Sequence, residues 1–384
     1  MTMTYFHDNT NTINTLDIQI ADDTPKFNVL SLFSGAGGMD LGFRGGFQFL
    51  NEVYSQNPFN LLFANDIFKQ AVDVYETNFE HSVERKSIVD LNKSDIDRKI
   101  KENANSLEVP EIDVLLGGFP CQTFSYSGKR GGLSDPRGQL YLQMIKVLDY
   151  YRPKFFVAEN VDGIRNSRKN QIGEDVDKSA LDTILDDFTQ YGYTVQYKVL
   201  NAADFGVPQN RRRVIIFGIR SDLGDLSSQY YPLQLFDETG TQTGRPWRTS
   251  LDGIDDIWDK INDPTIPNHT MRDISKAKFY PGKKMQGNNQ ISPDRPSPTI
   301  RAEHHGNIEA HYRNINGELH SDDMETWRRL SVRECARLQS FPDSFNFTTS
   351  ASSAYKAIGN AVPPVMAWHI ARAVYYSLQN IQNL

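Results

Sequence analysis

Short apolar-rich runs alternate, over roughly the first 220 residues, with stretches in which apolar positions return every three or four. The runs at residues 27–33, 61–65, 114–116, 154–161, 193–200 and 214–219 are too short for helices. The continuous run at 114–116 suits a strand covered on both faces, and the others read as strands. Between them lie a polar helix around residues 93–104 and a helix over 140–151, with Leu140, Met144, Ile145 and Leu148 on one face and Pro153 closing it. A further helix carries Leu181, Ile184, Leu185 and Phe188. Strands alternating with helices at this spacing predict an α/β fold, a doubly wound sheet.

From about residue 221 the rhythm breaks. Residues 221–300 are rich in Pro, Gly, Asp and Asn and hold no long periodic segment. Regular structure resumes at Leu330, where Ser331 and Glu334 make a capping box and Leu330 against Cys335 a hydrophobic staple, so Cys335 is read as packing. The segment Ile358-Gly359-Asn360-Ala361-Val362-Pro363-Pro364 leads into a helix with Val365, Ile370, Val374 and Leu378 on its apolar face. The expected division is a flexible polar arm over residues 1–25, a catalytic domain over 26–220, a smaller irregular domain over 221–325, and a return to the first domain over 326–384.

Composition narrows the classes. The 384 residues are 39% hydrophobic and 11% aromatic, which is globular, and two cysteines leave no disulfide framework, pointing to a reducing compartment such as the cytoplasm. No apolar run reaches the ~18 residues that would span a bilayer. The net charge of −7 argues against unspecific coating of nucleic acid, yet it hides a local excess. Between Ile266 and Arg301 seven Lys or Arg face two acids, the basic footprint of a nucleic-acid surface or else a solvated polar face. A monomer is expected.

The candidate chemistry collects at strand ends, the edge where open α/β sheets bind ligands. The first run passes into Ser34-Gly35-Ala36-Gly37-Gly38, whose glycines let the backbone pass close under a ligand. The spacing is not G-x-G-x-x-G, which disfavours a nicotinamide dehydrogenase. Asp66 ends the second run and could accept ribose hydroxyls; Asp90 is a third acid expected at a strand end. Cys121 follows the run at 114–116, aimed by Pro120, although an ordinary buried cysteine fits the same pattern. The stretch from Ser125 to Gly138, with four glycines and three basic residues, suits a closing loop or a plain surface loop. Glu159 ends the next strand, and Gln209, Arg211 and Arg213 precede the last. His304 and His305 lack further ligands at metal spacing, so no metal is expected.

In order and wording these segments resemble the cytosine-C5 DNA methyltransferase family, from about Val29 to the C-terminus. The resemblance rests on Phe33-Ser-Gly-Ala-Gly-Gly38, Pro120-Cys121-Gln122, Glu159-Asn160-Val161, Gln209-x-Arg211-x-Arg213, Arg295-Pro-Ser-Pro-Thr299 with Arg301, and Gly359-Asn360-Ala-Val-Pro363. It implies a Rossmann-like mixed sheet of the S-adenosylmethionine-dependent kind with a smaller target-recognition domain. It implies Cys121 as covalent nucleophile at C6 of cytosine, Glu159 as the proton-holding partner of N3, and Arg211 and Arg213 near the pyrimidine O2. The implied cofactor contacts are Phe33, Ser34, Gly35, Ala36, Gly37, Gly38, Asp66, Ile67, Asp90, Leu91, Pro120, Leu140, Asn360 and Val362. The second-strand acid is Asp where many relatives carry Glu.

Double-stranded DNA would be the substrate, with the target base flipped out of the helix. DNA contacts would fall to Gln122, Ser125, Lys129, Arg130, Gln209, Arg272, Lys276, Arg295, Thr299 and Arg301, with Gln286, Asn288, Asn289 and Gln290 as further readers of base edges. The resemblance also suggests the protective half of a restriction system, partnered by a restriction endonuclease. Two rivals share the scaffold: a transfer-RNA cytosine-C5 methyltransferase, and a catalytically silent DNA-binding regulator.

Overall fold

The computed structural model describes residues 10–120, 139–167, 178–274, 290–302, 312–314 and 327–382. At its centre is a six-stranded sheet of β1 (Phe27–Leu32), β2 (Phe59–Asn65), β3 (Val114–Gly117), β4 (Phe155–Val161), β5 (Tyr193–Asn201) and β6 (Arg212–Arg220) in the order β2-β1-β3-β4-β6-β5. The first four are parallel, while β6 runs antiparallel between β4 and β5. The sheet is therefore mixed. Because β6 is reversed, its first residues lie beside the carboxyl end of β4, with Val161 opposite Arg213.

The apolar runs are continuous because alternate side chains face two different cores. Val29, Val114, Leu116, Phe155, Val157, Ile215 and Phe217 point to one. That core is closed by α1 (Gly38–Arg44), α2 (Lys69–Asn78), α7 (Val332–Leu338), α8 (Ala351–Asn360) and α9 (Pro364–Gln382), α6 (Ser250–Ile254) packing beside α7. Leu30, Leu115, Phe156, Ala158, Val214 and Ile216 point to the other. It is covered by α3 (Lys93–Ala104), α4 (Tyr141–Tyr151) and α5 (Ala180–Gln190). Capping boxes at Asn92/Asp95, Ser179/Asp182 and Ser331/Glu334 set where α3, α5 and α7 begin. Cys335 is fully buried in the first core.

Three expectations need revision. Residues 10–20 are not a loose arm: Asn11–Ile13 forms a strand parallel to Tyr230–Pro232, the Thr15 hydroxyl meets His369 Nδ1 at 2.6 Å, and Arg372 donates to the Ile18 carbonyl. A few apolar side chains among many polar ones sufficed, because α9 offers them buried partners. Asp90 does not end a strand but closes a short helical turn, Ile88–Asp90, facing solvent. Ile358, Gly359 and Asn360, read as part of a lead-in to the last helix, instead end a helix of their own, Ala351–Asn360. Among the described residues no helix is long and apolar enough to cross a membrane.

Candidate active site

At the carboxyl edge of the parallel strands lies a cavity of about 540 Å³. Phe33, Ser34, Gly35, Gly38, Asp66, Ile67, Pro120, Leu140, Glu159, Arg211, Arg213, Asn360 and Val362, all singled out from sequence, line it. The glycine loop enters through a left-handed turn, with Phe33 at φ 56° and Gly35 at φ 56°. A bulky residue in that region is strained, and such strain persists where the surroundings dictate it. Nothing lies within 4 Å of where a Gly35 Cβ would sit, so its open side is left to the cavity. Asp66 locks the loop: one carboxylate oxygen accepts the Gly35 amide at 2.9 Å and the other the Phe68 amide at 2.8 Å. Burial nevertheless pushes the Asp66 carboxyl up. With the Ile67 amide also bonding it, the carboxylate keeps acceptor capacity for one ligand hydroxyl.

On the opposite wall, Glu159 Oε1 and Arg213 Nε form an ion pair at 2.7 Å, both side chains 11% exposed. The antiparallel register explains the pair. Glu159 lies opposite Ile215, so Arg213 is its diagonal neighbour on the same face, within reach of a long side chain. Arg213 also donates to the Arg212 carbonyl at 2.7 Å. Asn160, fully buried, donates to the Phe119 carbonyl at 3.2 Å, which fixes the turn at Pro120 beside Glu159. Cys121 is one peptide bond beyond Pro120 and lies outside the described residues, as do Gln122, Ser125, Lys129, Arg130, Lys276, Gln286, Asn288 and Asn289.

Other assignments shift. Arg211 lines the cavity, yet its guanidinium, 1% exposed, donates to the carbonyls of Ile300 at 2.9 Å and Gly359 at 2.8 Å, tying three distant segments. Gly359 permits this approach, since a Cβ there would meet the Arg301 and Ala302 backbone at 2.3 Å. Gln209, expected on DNA, is fully buried and bonds Gln339, the Leu338 carbonyl and the Ile300 amide. Ala36 and Leu91 are core residues, and Gly37 abuts Phe79 and Tyr75; with Asp90 they stand off the cavity. Thr299 donates to the Asn210 carbonyl, Arg295 is exposed beside Asp294, Arg272 is exposed, and Gln290 and Arg301 are half-buried.

Sequence reasoning passed over Asp40, Asn65, Phe68, Lys86, Ser87, Ile88 and Lys356 on the cavity wall. Lys356 stands 4.7 Å over the Phe68 ring. Asp40 accepts from Ser31 and from Tyr75, both at 2.7 Å, and burial pushes its carboxyl up to about 6. Asp40 and Asn65 carried a legible signal, since each adjoins a motif; Lys356, inside an unread helix, carried none.

The C-5 cytosine-specific DNA methylase family matches residues 27–375. The chain belongs to that family. It is an enzyme, a DNA cytosine-C5 methyltransferase. It is 36% identical to the Type II methyltransferase M.BsuRI of Bacillus subtilis, over 91% of this chain and 80% of that one. It is 33% identical to the Type II methyltransferase M.FnuDI of Fusobacterium nucleatum, over 93% and 96% respectively. The Entamoeba histolytica methyltransferase EhMeth has the same fold at TM-score 0.61 and 15% identity, covering 93% of this chain and 99% of its own. The S. pombe Dnmt2 methyltransferase does so at TM-score 0.58 and 19% identity, covering 92% and 99%.

Proposed function

We propose that this methyltransferase binds S-adenosylmethionine in the cavity and methylates C5 of a cytosine flipped out of a short duplex DNA site. The observation that carries the reading is the Glu159–Arg213 pair, set beside Pro120 in the same cavity as the glycine loop and Asp66. The donor set fits a nucleoside: a glycine wall open to the cavity and a carboxylate with acceptor capacity left beyond its three backbone amides. When bound, the cofactor supplies a methyl group on a sulfonium.

Cytosine C5 is too weak a nucleophile by itself. The Cys121 thiolate adds to C6, Glu159 holds the proton that N3 takes up, and the electron pair of the resulting enamine lies at C5. After C5 takes the methyl group, N3 gives its proton back to the Glu159 carboxylate, and loss of the C5 proton to water expels the thiolate and restores the ring. Arg213 orients the Glu159 carboxyl throughout. Residues 221–325, with Arg272, Arg295 and Arg301, would read the flanking duplex, and the host DNA so marked would be protected from a cognate endonuclease.

The test offers duplex DNA containing 5-fluorocytosine and labelled donor. The halogen cannot leave as a proton does, so the wild-type protein accumulates a denaturant-resistant complex and Cys121→Ala forms none. Methyl transfer to transfer RNA but not duplex would favour the RNA enzyme. Undiminished transfer by Cys121→Ala would overturn the covalent route.

A further inference from the structure

Asn65 ends β2, is 2% exposed and lines the cavity. Its backbone carbonyl accepts the Ser34 amide at 3.0 Å and the Ser34 hydroxyl at 3.3 Å, which holds the start of the glycine loop. Its side-chain amide donates both hydrogens across the sheet edge, to the carbonyls of Glu84 at 2.7 Å and Lys86 at 2.8 Å. The Glu84 amide returns a bond to Ala64 at 2.8 Å, so residues 84–86 lie along the end of β2 as an added rung. Lys86, Ser87 and Ile88, carried on that rung, form a wall of the cavity.

One residue therefore joins two walls: the glycine loop through its main chain and the 86–88 wall through its side chain. Past the rung the chain turns outward, with Val89 and Asp90 exposed. The side-chain requirement is strict. An amide has two hydrogens for two carbonyls. Asp would aim a carboxylate at both, and Leu, of similar shape, would leave both without donors at a part-buried edge.

We propose that Asn65 is the positioning residue that fixes the 86–88 wall against the glycine loop and so sets the affinity of the cavity for the nucleoside part of the methyl donor. The inference rests on the cofactor reading above. It assigns Asn65 no contact with the reacting atoms.

The test compares wild type with Asn65→Leu and Asn65→Asp by calorimetric binding of S-adenosylhomocysteine, by steady-state kinetics and by thermal melting. Both variants are expected to bind the nucleoside at least about tenfold more weakly, the scale of loss for two part-buried carbonyls deprived of their donors. At saturating donor, kcat and the KM for DNA stay within about threefold, the signature of lost uniform binding. Nucleoside affinity within about threefold of wild type, or a KM for DNA raised in the same proportion, would overturn the proposal.

Hydrogen exchange on the wild-type protein keeps it testable if a variant fails to fold. The amides of residues 84–88 should exchange more slowly once S-adenosylhomocysteine binds, and an unchanged rate would count against the wall. A wild-type protein that binds neither nucleoside would sink the cofactor reading itself; normal binding by wild type and both variants alike would sink only the role of Asn65.

Discussion

Replacing Glu159 by Gln keeps the shape of the side chain and one acceptor for Arg213 Nε, now 2.7 Å away, but removes the charge and the ability to pass a proton. Two consequences separate cleanly. A positioned acid or base contributes typically 10²–10⁴ in rate, or about 3–5 kcal/mol of barrier, so kcat for methyl transfer should fall by that factor. The fold should lose less. Arg213 keeps its bond to the Arg212 carbonyl and a neutral acceptor at residue 159, so the penalty is that of weakening one charged hydrogen bond, about 1–3 kcal/mol. Glu159 lies on β4, three strands along the sheet from β2, whose end carries Asp66, so affinity for S-adenosylhomocysteine should stay near wild type. Single-turnover methylation of a defined duplex, calorimetry and a denaturant melt read the three quantities. A fall in kcat below about tenfold would refute the proton-holding role, since bulk water would then serve as well. Loss of nucleoside binding in step with kcat would refute the assignment of Glu159 to the substrate side.

Arg211→Met should destabilise more than any change at Glu159, because two buried carbonyls, those of Ile300 and Gly359, lose their donors; about 2–6 kcal/mol in a urea melt is expected. A melt unchanged by this substitution would show that the tie is dispensable. Asp40→Asn tests a pH effect: the folded carboxyl is raised to about 6 by burial and the unfolded value is near 3.8, so its contribution is fully present below about pH 4 and lost as pH rises through about 6. Two pK units correspond to roughly 3 kcal/mol, so urea melts of wild type should lose stability over that window relative to the variant, and parallel curves would refute the shift.

Most of the sheet was legible because buried strands leave an unmistakable trace, continuous apolar runs between polar helices. The capping box at Ser331 fixed the start of its helix to the residue. Tertiary partnership was not legible. Gln209 and Arg211 read as ligands to DNA and base because motifs report which residues recur together, not which backbone groups they satisfy. Asp90 misled for a related reason: an acid after an apolar pair looks like a strand end, yet Ile88–Asp90 is a helical turn whose Ser87 and Ile88, rather than its acid, meet the cavity. Thr15 and Ile18 gave no periodic signal, since their order comes from His369 and Arg372 more than 350 residues away.

The reversed strand β6 ties these observations together. In an all-parallel sheet, residues that precede a strand lie at the opposite edge from the ligands, and Arg211 and Arg213 would be remote from Glu159. Antiparallel pairing with β4 turns the start of β6 to the carboxyl edge, placing Arg213 diagonal to Glu159 and Arg211 against Gly359. The same reversal gives the two arginines different tasks. Arg213 shares a face with Glu159 and holds its carboxylate, the group proposed to work on the base. Arg211 precedes the strand, and its side chain reaches α8, which carries Asn360 into the cavity, and residue 300, beside Arg301 in sequence. A single strand direction thus couples the proton-holding group, the nucleoside wall and the route to the irregular region, so a lesion at Arg211 should disturb cofactor and DNA affinity together, whereas one at Arg213 should disturb turnover first.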